Sequence, residues 1–332
     1  MKNPHGFTVH DIARLAGVSA MTVSRTLNHP EKVSPDALAR VREVVARTGF
    51  VPNAMARGLR SSKARLVAAV LPTLVGPVFQ ETVSALNDAL DAQGYQLMIG
   101  QSGYDASRED ALLDAIIRRR PDGIVLTGIM HSPEGRRQLL ASGIPVVETW
   151  DLTPTPIDML VGFSHEQIGQ SVCQFLHSRG YRHPALVSAG DERARRRIEG
   201  FQRMAKALGL EEAPTHLVPA PTTLGSGRTG LAAVLQAHAT TDAVFCSSDM
   251  LALGVLIEAQ ARGLKVPEQL AVVGLGDLEL AASLQPALTT VRIDGTRIGR
   301  TAAQYIVDRA EGRAVPQPIV DIGFEIVERD SA

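Results

Sequence analysis

Two cysteines, one tryptophan and 4% aromatic residues are little for a chain of 332 residues. Cys173 and Cys246 stand far apart without metal-ligand spacing, which excludes a disulfide framework and points to a reducing compartment. The histidines form no H-x-x-x-H or H-x-H pair, so no metal site is expected. No apolar run is long enough to span a bilayer, and the opening MKNPHGFTVHD lacks the apolar segment of a secretory signal. The expected location is the cytoplasm. No G-x-G-x-x-G follows the first strand, and neither a P-loop nor a G-x-S-x-G elbow occurs. Catalysis and a bound cofactor are therefore not expected.

What is present is uneven. Net charge is −1 overall, but residues 1–65 hold eleven Lys and Arg against four Asp and Glu, leaving the remainder at −8. A basic head on an acidic body fits a nucleic-acid-binding module joined to a domain of another kind. The length exceeds what one hydrophobic core usually serves.

Within the head, TVHDIARLAGVSAMTVSRTLN (8–28) reads as two short helices around a Gly-containing turn. Thr8 caps the first helix with Asp11 at the capping-box position, and Gly17 ends it. Ser19 caps the second helix, which turns Val23 and Leu27 inward and leaves Ala20, Met21, Thr22, Ser24, Arg25 and Asn28 outward freedom. Ser34-Pro35 starts a third helix with an apolar face of Val41, Val44 and Val45, stopped at Gly49. Three such helices make a helix-turn-helix domain over residues 1–50. Its second helix suits a major groove. Small residues permit close approach, hydroxyls meet phosphates, Arg25 reaches a guanine edge and Met21 offers apolar contact. An ordinary amphipathic surface helix is the plainer alternative, but capping, spacing and basic surroundings agree on DNA. On composition alone, residues 51–64 read as a flexible basic linker.

From Leu66 onward short apolar runs alternate with helical stretches. One series runs from LVAAVL (66–71) to IPVVE (144–148). A second opens with MLVGF (159–163) and continues to AVVGL (271–275), leaving LTTVRID (288–294), a helix and IVDIGFEIV (319–327) over. Strand–helix alternation implies parallel sheets covered by helices, hence two doubly wound α/β lobes over residues 65–330. The expected boundaries are about 65–161 plus 291–321 for one lobe and 162–290 plus 322–330 for the other. Ligands in such folds sit at the carboxyl ends of strands.

The stretch TVHDIARLAGVSAMTVSRTLN, then GFVPNAMARGLR (49–60), resembles the N-terminus of the LacI/GalR family of bacterial transcription regulators. GFSHE (162–166), RRRIEGF (195–201), SSDMLALG (247–254) and PALTTVRID (286–294) carry the resemblance through the chain. It implies a helix-turn-helix domain plus a periplasmic-binding-protein-like α/β body. It also implies a homodimer on a pseudo-palindromic double-stranded operator and a small-molecule effector between the lobes. For residues 51–64 the resemblance replaces the linker with a hinge helix. Asn53 and Ala56 lie on it, and Leu59 is its minor-groove wedge.

For the cleft, the resemblance and the carboxyl-end rule together name Phe79, Glu148, Trp150, Asp151, Ser164, Arg197, Ser248 and Asp277. Arg197 matches a family arginine that holds sugar hydroxyls or a carboxylate; the plainer alternative is one more charge in ERARRR (192–197). Phe79 reads equally as cleft wall or helix core. Asp249 reads as a helix cap beside Ser248, which stands where relatives often carry Asn. Gly276 occupies the place of a common family acid, next to Asp277. Among such proteins the chain is most similar to regulators of gluconate use, through VLPTLVGPVFQE (70–81), GIPVVETWD (143–151), VGF (161–163) and VRIDGTRIG (291–299). An arginine-bearing cleft suits a sugar acid, although a neutral sugar would use the same residue types.

Two other classes stay in view. A periplasmic-type sugar-binding protein shares the body but not the basic head. An α/β enzyme with an accessory DNA-binding domain would need a catalytic set. Because the sequence stops at Ala332 without a heptad tail, a dimer is expected rather than a tetramer.

Overall fold

The computed structural model describes residues 7–51, 63–74, 77, 79–103, 106–129 and 131–332. Asn53, Ala56 and Leu59 lie outside these, as does most of the expected hinge. The chain divides into two compact units, residues 1–64 and 65–332.

The first unit contains helices α1 (Val9–Ala16), α2 (Ala20–Asn28) and α3 (Pro35–Thr48). Thr8 and Asp11 form the capping box: Asp11 N donates to Thr8 Oγ1 at 3.2 Å and Thr8 N to Asp11 Oδ2 at 3.0 Å. Gly17 adopts φ +63°, a left-handed conformation that strains any residue with a side chain, so the chain turns sharply into α2. Ser19 Oγ accepts from Thr22 N at 3.1 Å, starting α2. Ser34 makes no side-chain capping bond, and Pro35 alone pre-sets the start of α3. Ile12, Ala13, Ala16, Val23, Val41, Val44 and Phe50 form the small core. Phe50, beyond the helical periodicity, and Thr26, a polar residue, are buried additions to the expected set.

In the second unit, one sheet has the order β11-β5-β4-β3-β1-β2, all parallel. Its strands are β1 (Leu66–Leu71), β2 (Gln96–Gln101), β3 (Gly123–Thr127), β4 (Val146–Thr149), β5 (Met159–Gly162) and β11 (Ile319–Asp321). The other sheet contains β6 (Pro184–Ala189), β7 (Thr215–Val218), β8 (Ala243–Cys246), β9 (Ala271–Leu275), β10 (Thr289–Arg292) and β12 (Glu325–Val327). Its order is β12-β10-β9-β8-β6-β7, with only the β10–β12 pair antiparallel. Central strands such as β1 and β6 are apolar and buried, as strands covered on both faces must be.

Helices α4 (Gln80–Asp91), α5 (Ala106–Ile117), α6 (Pro133–Ser142) and α11 (Gly295–Ala310) serve the first lobe. Helices α7 (His165–Ser178), α8 (Glu192–Ala207), α9 (Leu224–Ala237) and α10 (Asp249–Ala261) serve the second. The two doubly wound lobes expected from the strand–helix alternation are present. Two details differ from the reading of the strand series. Met159–Gly162, read as opening the second series, pairs with β4 in the first sheet. The stretch IVDIGFEIV is two strands, one in each sheet, separated by Gly323 at φ +69°.

The backbone therefore passes between lobes after β5, after β10, and between β11 and β12. Among the described residues no helix is long and apolar enough to cross a membrane.

Candidate functional site

On α2, Ser19, Met21 and Arg25 are exposed, Met21 at 52%. Ala20, Thr22 and Ser24 are half-buried, while Val23 and Thr26 face the core. Arg25 makes no ion pair among the described residues. Ser19 is partly committed: besides capping, its Oγ lies 2.9 Å from Thr22 Oγ1. Thr8 is exposed at the start of α1, its hydroxyl held by Asp11 Oδ2 at 2.7 Å. Asn28 closes α2, but its side chain is outside the described atoms.

In the second unit the carboxyl ends of both sheets meet. There a cleft of about 760 Å³, partly open to solvent, is walled by Thr73, Phe79, Trp150, Phe163, His165, Arg197, Ser247 and Ser248. A second chamber of about 1270 Å³ adjoins it and shares Asp191, Arg193 and Ala220. Glu109, His131 and Asp151 line this second chamber.

Arg197 is the unusual group. It is 6% exposed and makes no ion pair among the described residues. Its Nη1 donates to His165 Nδ1 at 2.8 Å, and its Nε finds no partner among the described residues. Burial pulls its pKa below the ordinary arginine value, to about 10, against the attraction of Asp191. The position follows from helix packing. Gly169 of α7 and Gly200 of α8 let the two helices touch backbone to backbone. A Cβ at either would collide with the carbonyl oxygen of Arg197 or Glu166, respectively.

His165 has only one way to satisfy its neighbours. Arg197 cannot accept, so Nδ1 is the acceptor, and Nε2–H donates to the Trp150 carbonyl at 2.9 Å. Burial, and then the charge of Arg197, push its pKa well below the usual histidine value.

Trp150 follows β4 at φ +65°, a strained conformation for a bulky residue. Its Nε1 donates to Thr82 Oγ1 at 3.2 Å, and its ring meets Phe79 and Phe163 edge-on at 5.0 and 5.6 Å. The Arg193 guanidinium lies 5.4 Å over Phe79. Asp151 Oδ1 pairs with Arg196 Nη1 at 3.0 Å across the lobes, while its Oδ2 has no partner among the described residues. Among the residues that line the cleft, Arg193 and Arg197 against Asp191 leave one positive charge in excess. Chemically, the arrangement can accommodate an anion flanked by hydroxyls beside aromatic faces.

Residues 8–53 match the "Bacterial regulatory proteins, lacI family" description, and residues 173–332 match a "Periplasmic binding protein-like domain". The HTH-type transcriptional regulator GntR of Pseudomonas aeruginosa is 35% identical, over 98% of this chain and 95% of that protein. The chain belongs to the LacI family of bacterial regulatory proteins. A crystal structure of a LacI-family transcriptional regulator from Silicibacter pomeroyi is similar at TM-score 0.92 and 32% identity, covering 98% of this chain and 99% of that one. The GntR structure from Chromobacterium violaceum is similar at TM-score 0.77 and 36% identity, over 80% and 98% of the two chains. LacI-family members are transcriptional regulators and not enzymes, and this chain is one of them.

Of the cleft residues named from sequence, this LacI-family chain brings together Phe79, Trp150, Arg197 and Ser248, with Asp151 in the adjoining chamber. Three others do not line either chamber. Glu148 is fully buried beneath, its Oε2 accepting from Ile157 N at 2.6 Å and its Oε1 lying 3.3 Å from His131 Nε2. Ser164 caps α7, accepting from Gln167 N at 3.2 Å. Asp277 is held by Arg329 at 2.6 Å. Asp249 reads differently from a cap: Ser248 caps α10, and Asp249 accepts from Thr290 Oγ1 at 2.5 Å and Leu278 N at 2.8 Å. His165, Phe163, Asp191 and Arg193 went unnamed. Alternation along the extended chain held the signal for the first two, since Phe163 and His165 face one way and Ser164 the other.

Proposed function

We propose that this chain represses transcription in the cytoplasm, as a homodimer on a pseudo-palindromic operator whose occupancy a sugar acid of gluconate type controls. Arg197 carries the effector reading. Keeping a charged guanidinium buried without a carboxylate beside it costs the empty protein free energy that an anionic ligand repays. Phe79 and Trp150 would cover the apolar face of the carbon chain, and Asp151 and Ser248 would meet hydroxyls. Calorimetric titration with gluconate, ketogluconates and neutral sugars tests this: heat from acids and little from neutral sugars is expected, and no heat from any acid sinks it.

For DNA, Ser19, Thr22 and Ser24 would hold phosphates while Arg25 and Met21 reach base edges, with Ala20 allowing close approach. Thr8 and Asn28 flank that surface, and Asn53, Ala56 and Leu59 would form the hinge contact in the adjacent minor groove. The division into a head of 1–50, a hinge of 51–64 and a body of 65–330 belongs to this proposal. Arg25→Ala should cost about 1–3 kcal/mol of operator affinity while effector binding stays intact. If both fall together, the head is not the reader.

Dimerisation is supported by the edge strands. Ile99 on β2 and Leu217 on β7 are 42% and 54% exposed, and Leu74 beside β2 is 58% exposed. An exposed aliphatic edge on each sheet is costly in a monomer, and a two-fold pairing would cover both at once. Sedimentation would report the dimer, and Ile99→Lys should weaken it.

A further inference from the structure

We infer that His165 is the residue that makes the cleft selective for acids, by holding Arg197 away from the protein's own carboxylates. This rests on the proposal that the effector is a sugar acid.

Asp191 and Asp151 both attract Arg197, yet neither forms an ion pair with it. Asp191 Oδ1 is occupied by Ala194 N at 3.2 Å as the cap of α8, with Arg193 at 3.9 Å. Asp151 Oδ1 is taken by Arg196 and by Leu152 N. A guanidinium on a flexible stem, buried near these two carboxylates, would swing to one of them unless something tied it elsewhere. His165 supplies the tie. Its Nδ1 lone pair takes Nη1, and its Nε2–H is anchored on the Trp150 carbonyl of the other lobe. With Nη1 occupied, Arg197 keeps the edge made by Nε and Nη2, the fork that grips a carboxylate with two parallel hydrogen bonds.

The tautomer matters as much as the position. A protonated His165 would present N–H to Arg197, and the tie would become a repulsion. Burial and the charges of Arg197, Arg193 and Arg196 keep the ring neutral. All the positive charge offered to the ligand at this point is therefore that of Arg197. Without the tie, Arg197 would pair internally, and the cleft would lose its anion site while keeping its aromatic walls and hydroxyls.

Three variants of the full chain, titrated with gluconate and with a neutral hexose, test this. His165→Leu should weaken gluconate binding by about 30-fold or more, the loss typical of truncating one partner of a buried charged contact. It should leave the neutral sugar nearly unchanged. His165→Gln, whose amide can accept from Arg197 and donate to Trp150, should stay within about threefold of wild type. His165→Leu with both Asp151→Asn and Asp191→Asn should recover at least tenfold, because neither amide captures the guanidinium and Asn still caps α8. Equal loss for both sugars, or no recovery in the triple variant, overturns the inference.

A measurement on the wild type serves if the leucine variant does not fold. Between pH 5.5 and 7.5 gluconate affinity should show no change that persists in Asp151→Asn: the groups facing His165 are Arg193, Arg196, Arg197, Asp151 and Asp191, burial raises the pKa of Asp151, and burial with the arginine charges keeps His165 neutral. A change in that window that persists in Asp151→Asn would mean that His165 becomes cationic there and would overturn it. Absence of gluconate binding to wild type is a different result: it removes the acidic effector itself.

Discussion

Replacing Arg197 with methionine separates a ligand-holding residue from a structural one. Burial lowers the folded pKa of the guanidinium below its ordinary value, to about 10, so it weakens the fold while it is charged. At roughly 1.4 kcal/mol per unit this amounts to about 3 kcal/mol. The penalty is fully present below about pH 10 and fades as pH rises from there toward the ordinary arginine value. Methionine removes that charge and keeps much of the packing, but leaves His165 Nδ1 without its donor, at a cost of about 1–3 kcal/mol. The empty variant should therefore melt at the wild-type temperature or a few degrees above it.

Ligand reverses the order. At a gluconate concentration of about 100 times the wild-type Kd, binding stabilises the native protein by about 2.7 kcal/mol. For a body of this size that is a rise of roughly 5–10 °C. Losing the charged contact weakens binding by about 30-fold or more, so the variant at the same concentration should gain under about 1 kcal/mol, or about 2–3 °C. Scanning calorimetry with and without gluconate reads both effects. An Arg197→Met protein that melts well below wild type yet keeps the full ligand shift would refute the reasoning, because Arg197 would then be a structural cation.

Other consequences are as direct. Burial opposes the charged form of His131, but the hydrogen bond to Glu109 and the nearby Glu148 carboxylate outweigh it and raise its pKa from 6.5 to about 9. That raised pKa adds up to about 3 kcal/mol of stability, fully present below about pH 6.5 and lost as pH climbs through 9. Urea unfolding at several pH values should show the decline, and His131→Asn should flatten it. Gly169→Ala drives a Cβ into the Arg197 carbonyl, so it should cost about 1–3 kcal/mol and weaken gluconate binding as α8 shifts. Unchanged binding alongside reduced stability would show that Arg197 is not positioned through that helix contact. Thr8→Ala removes the capping box of α1 and should lower the stability of the helix-turn-helix unit by about 1 kcal/mol, read by proteolysis of the full chain.

The helix-turn-helix was legible because its signals are local. Thr8, Asp11, Gly17 and Ser19 act within a few residues of themselves, and the structure finds each doing what its type dictates. Strand positions were nearly as clear, since central strands buried on both faces read as continuous apolar runs. Which sheet a run joins is another matter. MLVG is equally at home beside β4 or β6, and only the length of chain available to β4 and the return of β11 decide it. Phe50 and Thr26 escaped because one lies past its helix and the other is polar.

The cleft fails to be legible for a deeper reason. Its walls come from the carboxyl ends of strands in two lobes, and neighbours there are distant in the chain: Trp150 O with His165, His165 with Arg197, Asp151 with Arg196. Knowing that a polar residue follows a strand leaves two questions open, which way it points and what already holds it. Ser164 and Asp277 show the difference. Both follow strands and both carry suitable oxygens, but a helix N-terminus claims one and Arg329 the other. Arg197 follows the opposite logic. It sits in a run of arginines that reads as a solvated face, and it alone among them is buried, because Gly169 and Gly200 bring α8 against α7. A binding residue is thus distinguished less by its type than by its neighbours having left it unsatisfied. For Arg197 that depends on one histidine having no other way to place its proton.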